Sequence, residues 1–313
     1  MKSMLLETTS KLEEGRDPMR FREIRDPSPA EEEILVHVSA CGVCHTELDE
    51  IEGRTKPPSF PIVLGHQVVG TVAVLGKNAG RFKLGERVGI AWIFSVCGMC
   101  KFCKSGNENL CANFKATGRD VNGGYAELMT VHQDFAYFLP EAFTDAEAAP
   151  LLCAGAIGYR SLRLSALSDG QNLGLTGFGA SAHLVLKMVR HQYPNVKVFV
   201  FARSQSEREF AKELGAVWSG DTSTPSPQKL DAIIDTTPAW MPVVEGLKNL
   251  EPGGRLIINA IRKEERDKGT LLGLSYPDHL WLEREIKSVA NVARTDVSGF
   301  LQLAADMKIK PDV

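Results

Sequence analysis

Short apolar or alternating runs mark the first half of the chain. Residues 32–40 (EEILVHVSA), 67–76 (QVVGTVAVLG), 86–92 (ERVGIAW) and 124–131 (GYAELMTV) are bounded by Gly, Asn and Pro, which is how strands read. They predict a compact β-rich domain over residues 31–139, with a cysteine-rich lobe inserted in it. The period changes over Thr144–Leu167, a long Ala/Leu-rich helical stretch opened by Thr144 as a cap with Glu147 three residues on. From Gln171 strands and helices alternate. Strands are predicted at 171–177, 196–202, 231–236, 255–260 and 285–291, and helices at Ala180–Tyr193, 206–215, 240–250 and Asp296–Met307. Such alternation implies a parallel sheet wound with right-handed crossovers. Residues 221–228 (DTSTPSPQ) read as a surface loop, because the alternation resumes directly after them.

A length of 313 residues suits two domains, and 43% hydrophobic with 24% charged residues excludes a chain disordered by composition. Lys and Arg total 36 against 39 Asp and Glu, a net charge of −3 that argues against nucleic acid as a partner. The amino terminus carries charges where a signal peptide needs an apolar stretch. No window approaches the ~18 apolar residues of a membrane helix, so a soluble, cytoplasmic protein with no membrane partner is expected.

Seven cysteines change this picture, since Cys97, Cys100, Cys103 and Cys111 crowd into one short segment. In a reducing compartment that clustering indicates metal rather than disulfides. Four thiolates can close a tetrahedron on Zn²⁺, with Gly98 and Gly106 supplying the turns. Four separately buried thiols would lie in apolar runs, whereas these sit among Lys, Ser, Asn and Glu. A nucleic-acid-binding zinc ribbon is the rival reading, but there is one knuckle and no basic field.

Gly177-Phe-Gly179-Ala180-Ser-Ala182 follows a predicted strand and opens a predicted helix, the context a dinucleotide turn requires. Gly177 permits the tight turn, Gly179 the close approach of a pyrophosphate, and Ala182 close helix–sheet packing. The helix amino terminus then offers N–H groups to phosphate. An NAD site would place an acid at the end of the second strand, but Arg203 and Ser204 stand there and no acid occurs from Gln171 to Ser206. They suit a 2′-phosphate, which favours NADP over NAD; the alternative is that Arg203 is a solvated charge.

Taken in order, CGVCHTE (41–47), GHQVVG (65–70), the four-cysteine lobe, PLLCAG (150–155) and the glycine turn resemble the zinc-dependent medium-chain alcohol dehydrogenases. The resemblance implies an α/β chain with a GroES-like β-rich catalytic domain (1–149, lobe at about 95–113) followed by a Rossmann-type parallel-sheet cofactor domain (150–291). It also implies a site in the cleft between them. Residues 292–313 would begin a return to the first domain. The family chain continues further, so a carboxy-terminal truncation with impaired stability is expected. Cys44, His66 and Cys153 are implied as catalytic zinc ligands, Thr46 as the hydroxyl that takes the alcohol proton, Glu47 as the partner orienting His66, and Trp92 as a wall of the substrate pocket. Two Zn²⁺ per chain follow, one catalytic and one structural.

The implied reaction transfers hydride between a primary or secondary alcohol and NAD(P), with zinc as the Lewis acid that acidifies the alcohol. Small alcohols or aldehydes are the implied substrates and a homodimer or homotetramer the implied assembly. Two positions depart from the family: Gln67 replaces a usual Glu, and Asp49 stands where many members end the proton relay with His. A zinc-free quinone or enoyl reductase is disfavoured by the complete ligand set. A non-catalytic protein that binds zinc and dinucleotide is the reading from another class.

Overall fold

The computed structural model describes residues 1–13, 17–309 and 311. Its chain divides into two units, one of residues 1–156 with the segment from Val292 onward, the other Ile157–Asn291. The first is built on a five-stranded antiparallel sheet in the order Ala136–Phe138, Arg87–Ile90, Gln67–Leu75, Glu33–Gly42, Leu128–His132. In the strand Gln67–Leu75 the first four residues are buried in succession before the pattern begins to alternate, so its start is covered on both faces. The central pair, Glu33–Gly42 and Gln67–Leu75, sets Gly42 opposite Gln67. The chain just beyond these two strand ends therefore places residues 44 and 66 side by side.

A second sheet pairs Lys2–Leu6 with Arg20–Glu23 and with Ile62–Val63. The hydrophobic pattern does not predict the first two of these strands, and Arg20–Glu23 is exposed along its whole length, with no apolar face to announce it. Strands Ile93–Ser95 and Lys115–Ala116 pair and close the base of the four-cysteine segment.

The helix expected over Thr144–Leu167 starts as predicted. Glu147 N donates to Thr144 Oγ1 at 3.3 Å and Thr144 N to Glu147 Oε2 at 2.9 Å. It does not run straight through. Asp145–Pro150 gives way to a wide π-helical turn, Leu151–Gly155, before regular helix resumes over Ala156–Ser165. Pro150 has no N–H for the carbonyl of Ala146, and Ala156 N–H reaches back to Leu151 O across the widened turn. The helix Arg294–Met307 belongs to this unit, and its Phe300 lies against the turn; a Cβ on Gly155 would sit 1.9 Å from the Phe300 ring.

The second unit is a six-stranded, all-parallel sheet. Across it run Trp218–Gly220, Lys197–Phe201, Asn172–Thr176, Leu230–Asp235, Leu250–Ile258 and Glu285–Ser288, the 3-2-1-4-5-6 order of a doubly wound dinucleotide-binding sheet. Phe199, Ile233, Leu247 and Leu256 are among the residues that form its core. Trp218–Gly220 is too short to be read from pattern, and the last strand ends at Ser288 rather than at residue 291. Among the described residues no helix is long and apolar enough to cross a membrane.

At the carboxyl end of the fourth strand Asp235 is fully buried and completely engaged. It accepts from Thr176 Oγ1 at 2.6 Å and Thr237 Oγ1 at 2.8 Å, and is ion-paired with Lys263. Lys263 Nζ also donates to the carbonyls of Thr237 at 2.8 Å and Ala239 at 2.9 Å. Removing one partner of such a pair strands the other charge in the interior. Lys263→Met is expected to destabilise the second unit by about 3–5 kcal/mol, and Lys263→Met with Asp235→Asn by clearly less; urea unfolding of the two variants checks this.

Candidate functional site

The short helix His45–Ile51 begins with a capping box whose cap is a cysteine. Cys44 Sγ accepts from Thr46 N at 3.3 Å and Glu47 Oε2 accepts from Cys44 N at 2.9 Å. This holds Cys44 with its sulfur turned inward. The strand register brings up His66, which is almost wholly buried, as is Glu47. Its Nδ1 lies 2.5 Å from Glu47 Oε1, while Nε2 lies 3.7 Å from Cys44 Sγ and 3.3 Å from Cys153 Sγ. The π-helical turn supplies Cys153 at its centre. The three donor atoms lie within 4.8 Å of one another. Two sulfurs and an imidazole whose far nitrogen meets a carboxylate form a three-donor set that suits Zn²⁺ and leaves a fourth position open.

Electrostatics tie the three together. The neighbouring Cys153 thiol stabilises the Cys44 thiolate, and His66 adds to this, so Cys44 titrates far below an ordinary thiol despite its burial. Cys153 is pushed well above its usual range by the Cys44 sulfur and by burial. Burial disfavours the His66 cation, but the Glu47 carboxylate and Cys44 outweigh it and hold the imidazole well above its ordinary value.

The other positions singled out in the sequence fall as follows. Thr46 is half-buried, one position after the start of the capping helix. Asp49 is buried and paired with Arg54, Nε to Oδ1 at 2.6 Å, and Arg54 also meets Glu52. The sequence reading missed Arg54; its signal was an arginine five residues on, in the turn that follows the same helix. Gln67 is buried at the head of its strand. Trp92 is buried with Phe114 at 5.3 Å and the Arg119 guanidinium 5.5 Å over its ring. Cys97, Cys100, Cys103 and Cys111 converge, every sulfur within 4.8 Å of the others, while Gly98 and Gly106 turn the chain at φ +70°. Backbone N–H groups of Met99 and Cys100 lower the Cys97 thiol to about 6. Cys41 stands apart as a half-buried thiol, pushed up to about 12 chiefly by desolvation.

In the second unit Gly177 takes φ +75° and a Cβ there would meet Thr236 Oγ1 at 2.8 Å, so it is glycine for both conformation and space. Gly179 is different. It precedes the helix Ala180–Gln192 in an extended conformation, and nothing lies within 4 Å of where its Cβ would be. Neither strain nor packing accounts for that glycine, and the space beside it leaves the helix terminus open to close approach. Ala180 opens the helix and Ala182 is fully buried. Arg203 and Ser204 are exposed beyond the second strand; Ser204 caps the helix Gln205–Glu213, its Oγ 2.6 Å from Ser206 Oγ.

A GroES-like sheet domain together with a 3-2-1-4-5-6 parallel sheet that opens on a glycine turn defines the medium-chain dehydrogenase fold. The alcohol dehydrogenase GroES-like domain matches residues 30–141. A probable alcohol dehydrogenase of Mycobacterium tuberculosis is 41% identical over 298 residues, covering 94% of this chain and 84% of that protein. An alcohol dehydrogenase of Geobacillus stearothermophilus is 28% identical, covering 96% and 89%. Among solved structures the CAD from Helicobacter pylori, complexed with NADP(H), is 22% identical with a TM-score of 0.84, covering 99% of this chain and 89% of that one. The chain belongs to the zinc-type medium-chain alcohol dehydrogenase family.

Loading the three-donor site with a divalent ion requires both thiolates and a neutral imidazole. The protons to be displaced are those on Cys153 and His66, since Cys44 is already ionised. Near neutral pH the expected release is about two protons per ion bound at this site, and affinity should fall as pH is lowered. Calorimetry in buffers of different ionisation enthalpy, with the four-cysteine site already filled, measures the release.

Proposed function

We propose that the chain is a zinc-dependent alcohol dehydrogenase or aldehyde reductase that moves hydride between a small primary or secondary alcohol and NADP, used in preference to NAD. The observation that carries this reading is the convergence of Cys44, His66 and Cys153 with Glu47 behind the imidazole. Zn²⁺ bound there supplies Lewis acidity to the oxygen of the alcohol or carbonyl. Glu47 fixes the ring so that Nε2 faces the sulfurs, and it ties that ring to the cap of the helix that carries Thr46. The Thr46 hydroxyl takes the alcohol proton, and Asp49, held beside Arg54, continues the path toward solvent. Trp92 is the bulky wall of the substrate site. The four-cysteine lobe, with its coordination closed by sulfur, holds the second, structural zinc.

For the cofactor, Gly177, Gly179, Ala180 and Ala182 form the pyrophosphate turn, and Arg203 with Ser204 receives the 2′-phosphate. The absence of any acid between Gln171 and Ser206 supports that choice, as does the NADP(H) found in the Helicobacter pylori protein.

Activity across an alcohol panel with each cofactor, on metal-quantified protein, tests the reading. Alcohol-dependent NADPH formation should disappear in Cys44→Ser and fall by about 10² or more in Thr46→Val; full activity in either variant counts against the assigned role. Arg203→Asp should raise KM for NADP by roughly 10–100-fold, the worth of a charge-assisted hydrogen bond, and leave KM for NAD the same or lower. An unchanged NADP preference rejects the 2′-phosphate site.

A further inference from the structure

One buried carboxylate, Glu108, lies inside the four-cysteine lobe but faces away from its sulfurs in function. It sits in the 3₁₀ turn Glu108–Leu110, three residues before Cys111, and is 2% exposed. Its Oε1 accepts from Arg294 N at 3.0 Å and from Arg294 Nε at 3.1 Å. Arg294 is the first residue of the helix Arg294–Met307, so Glu108 takes up a helix-terminal N–H and brings a negative charge to the positive end of the helix. The guanidinium lies 5.0 Å over the ring of Phe135, which limits its freedom to turn elsewhere. The lobe is thereby clasped to the helix end.

Six residues on, about 9 Å along the helix, Phe300 is fully buried against Gly155. The fit leaves no room for a Cβ, so the helix and the π-helical turn cannot shift independently. Gly155 ends the turn that carries Cys153 two residues earlier. A metal ligand has to be held to within about 0.2 Å. The position of Cys153 is therefore tied to the helix, and the helix end to a carboxylate three residues before Cys111.

We propose that Glu108 and Phe300 are positioning residues for the metal at Cys44, His66 and Cys153, so that filling the four-cysteine lobe governs how firmly the other site holds its ion. This rests on the reading of both clusters as metal sites. The coupling runs from the lobe through Glu108 and Arg294 to Phe300, Gly155 and Cys153, and every part of it lies in the first unit.

The full chain loaded with Co²⁺ tests it. The sulfur-to-metal absorption of each site reports its occupancy, and a chelator in excess gives its release rate. The parent should hold two ions. Glu108→Ala and Phe300→Leu should each keep the four-cysteine ion yet release the other about tenfold faster or more, with a shifted d–d spectrum. The double variant should be little worse than either alone, because both act on one path. Ser3→Ala, which loses the hydrogen bond from Ser3 Oγ to the Arg22 carbonyl in the sheet of Lys2–Leu6 and Arg20–Glu23, should leave both release rates unchanged. Should Glu108→Ala fail to fold, Arg294→Gln keeps the backbone N–H and is expected to speed release by a smaller factor. Parent-like release and spectrum in the variants overturn the coupling alone. A parent that binds one ion only, at the four cysteines, overturns the functional reading and the coupling with it.

Discussion

Everything at the three-donor site depends on the register between Glu33–Gly42 and Gln67–Leu75. With Gly42 opposite Gln67, the chain that leaves the first strand and the chain that enters the second run past each other at one corner of the sheet. A slip of one residue would exchange the faces of every side chain in the strand and carry His66 out of reach of Cys44. The register is well defended. The first four residues of Gln67–Leu75 are buried on both faces. Gly70 is so close to the neighbouring strand that a Cβ would fall 2.3 Å from the His37 carbonyl oxygen, and only glycine fits there. The chemistry of the corner is thus held by the hydrophobic packing of two strands that contribute no ligand.

The third ligand arrives by a different device. Regular helix from Thr144 onward would pass the corner with a fixed 3.6-residue pitch, but the widened turn at Leu151–Gly155 presents Cys153 at a point that pitch does not offer. The cost is one irregular hydrogen-bonding turn, offset by the deep burial of Leu151 and Leu152 and by the close seat of Phe300. Stiffness and chemistry are combined here: the same turn that displaces a sulfur also locks against a helix from the far end of the chain.

The strand–helix alternation of the second unit and the four-cysteine lobe were legible because they rest on local spacing, whereas Cys44, His66 and Cys153, spread over 109 positions, were reached only through the resemblance to a family. Period-two and period-3.6 patterns announce the second unit almost strand by strand, and two-residue cysteine spacings need no knowledge of the fold. What stayed hidden rests on contacts between distant residues. No periodicity encodes a π-helical turn. Arg20–Glu23 has no buried face, and Trp218–Gly220 has too few residues to show one. Lys263 looks like a surface charge in the sequence and is in fact buried against Asp235, 28 positions earlier in the chain. The partnership of Glu108 with Arg294 spans 186 positions and is equally invisible to pattern.

The closeness of the lobe sulfurs has a further consequence, for redox chemistry. Cys100 and Cys103 stand 3.5 Å apart sulfur to sulfur and Cys97 and Cys103 3.8 Å, a rotamer change from bonding distance. Backbone N–H groups of Met99 and Cys100 favour the thiolate of Cys97, and a thiolate is the form that oxidants attack first. An ion that occupies the four sulfurs therefore also shields them. Metal starvation and oxidative stress would reach this protein through the same door, because a lobe stripped of its ion is one two-electron step from a disulfide that no longer accepts the ion back.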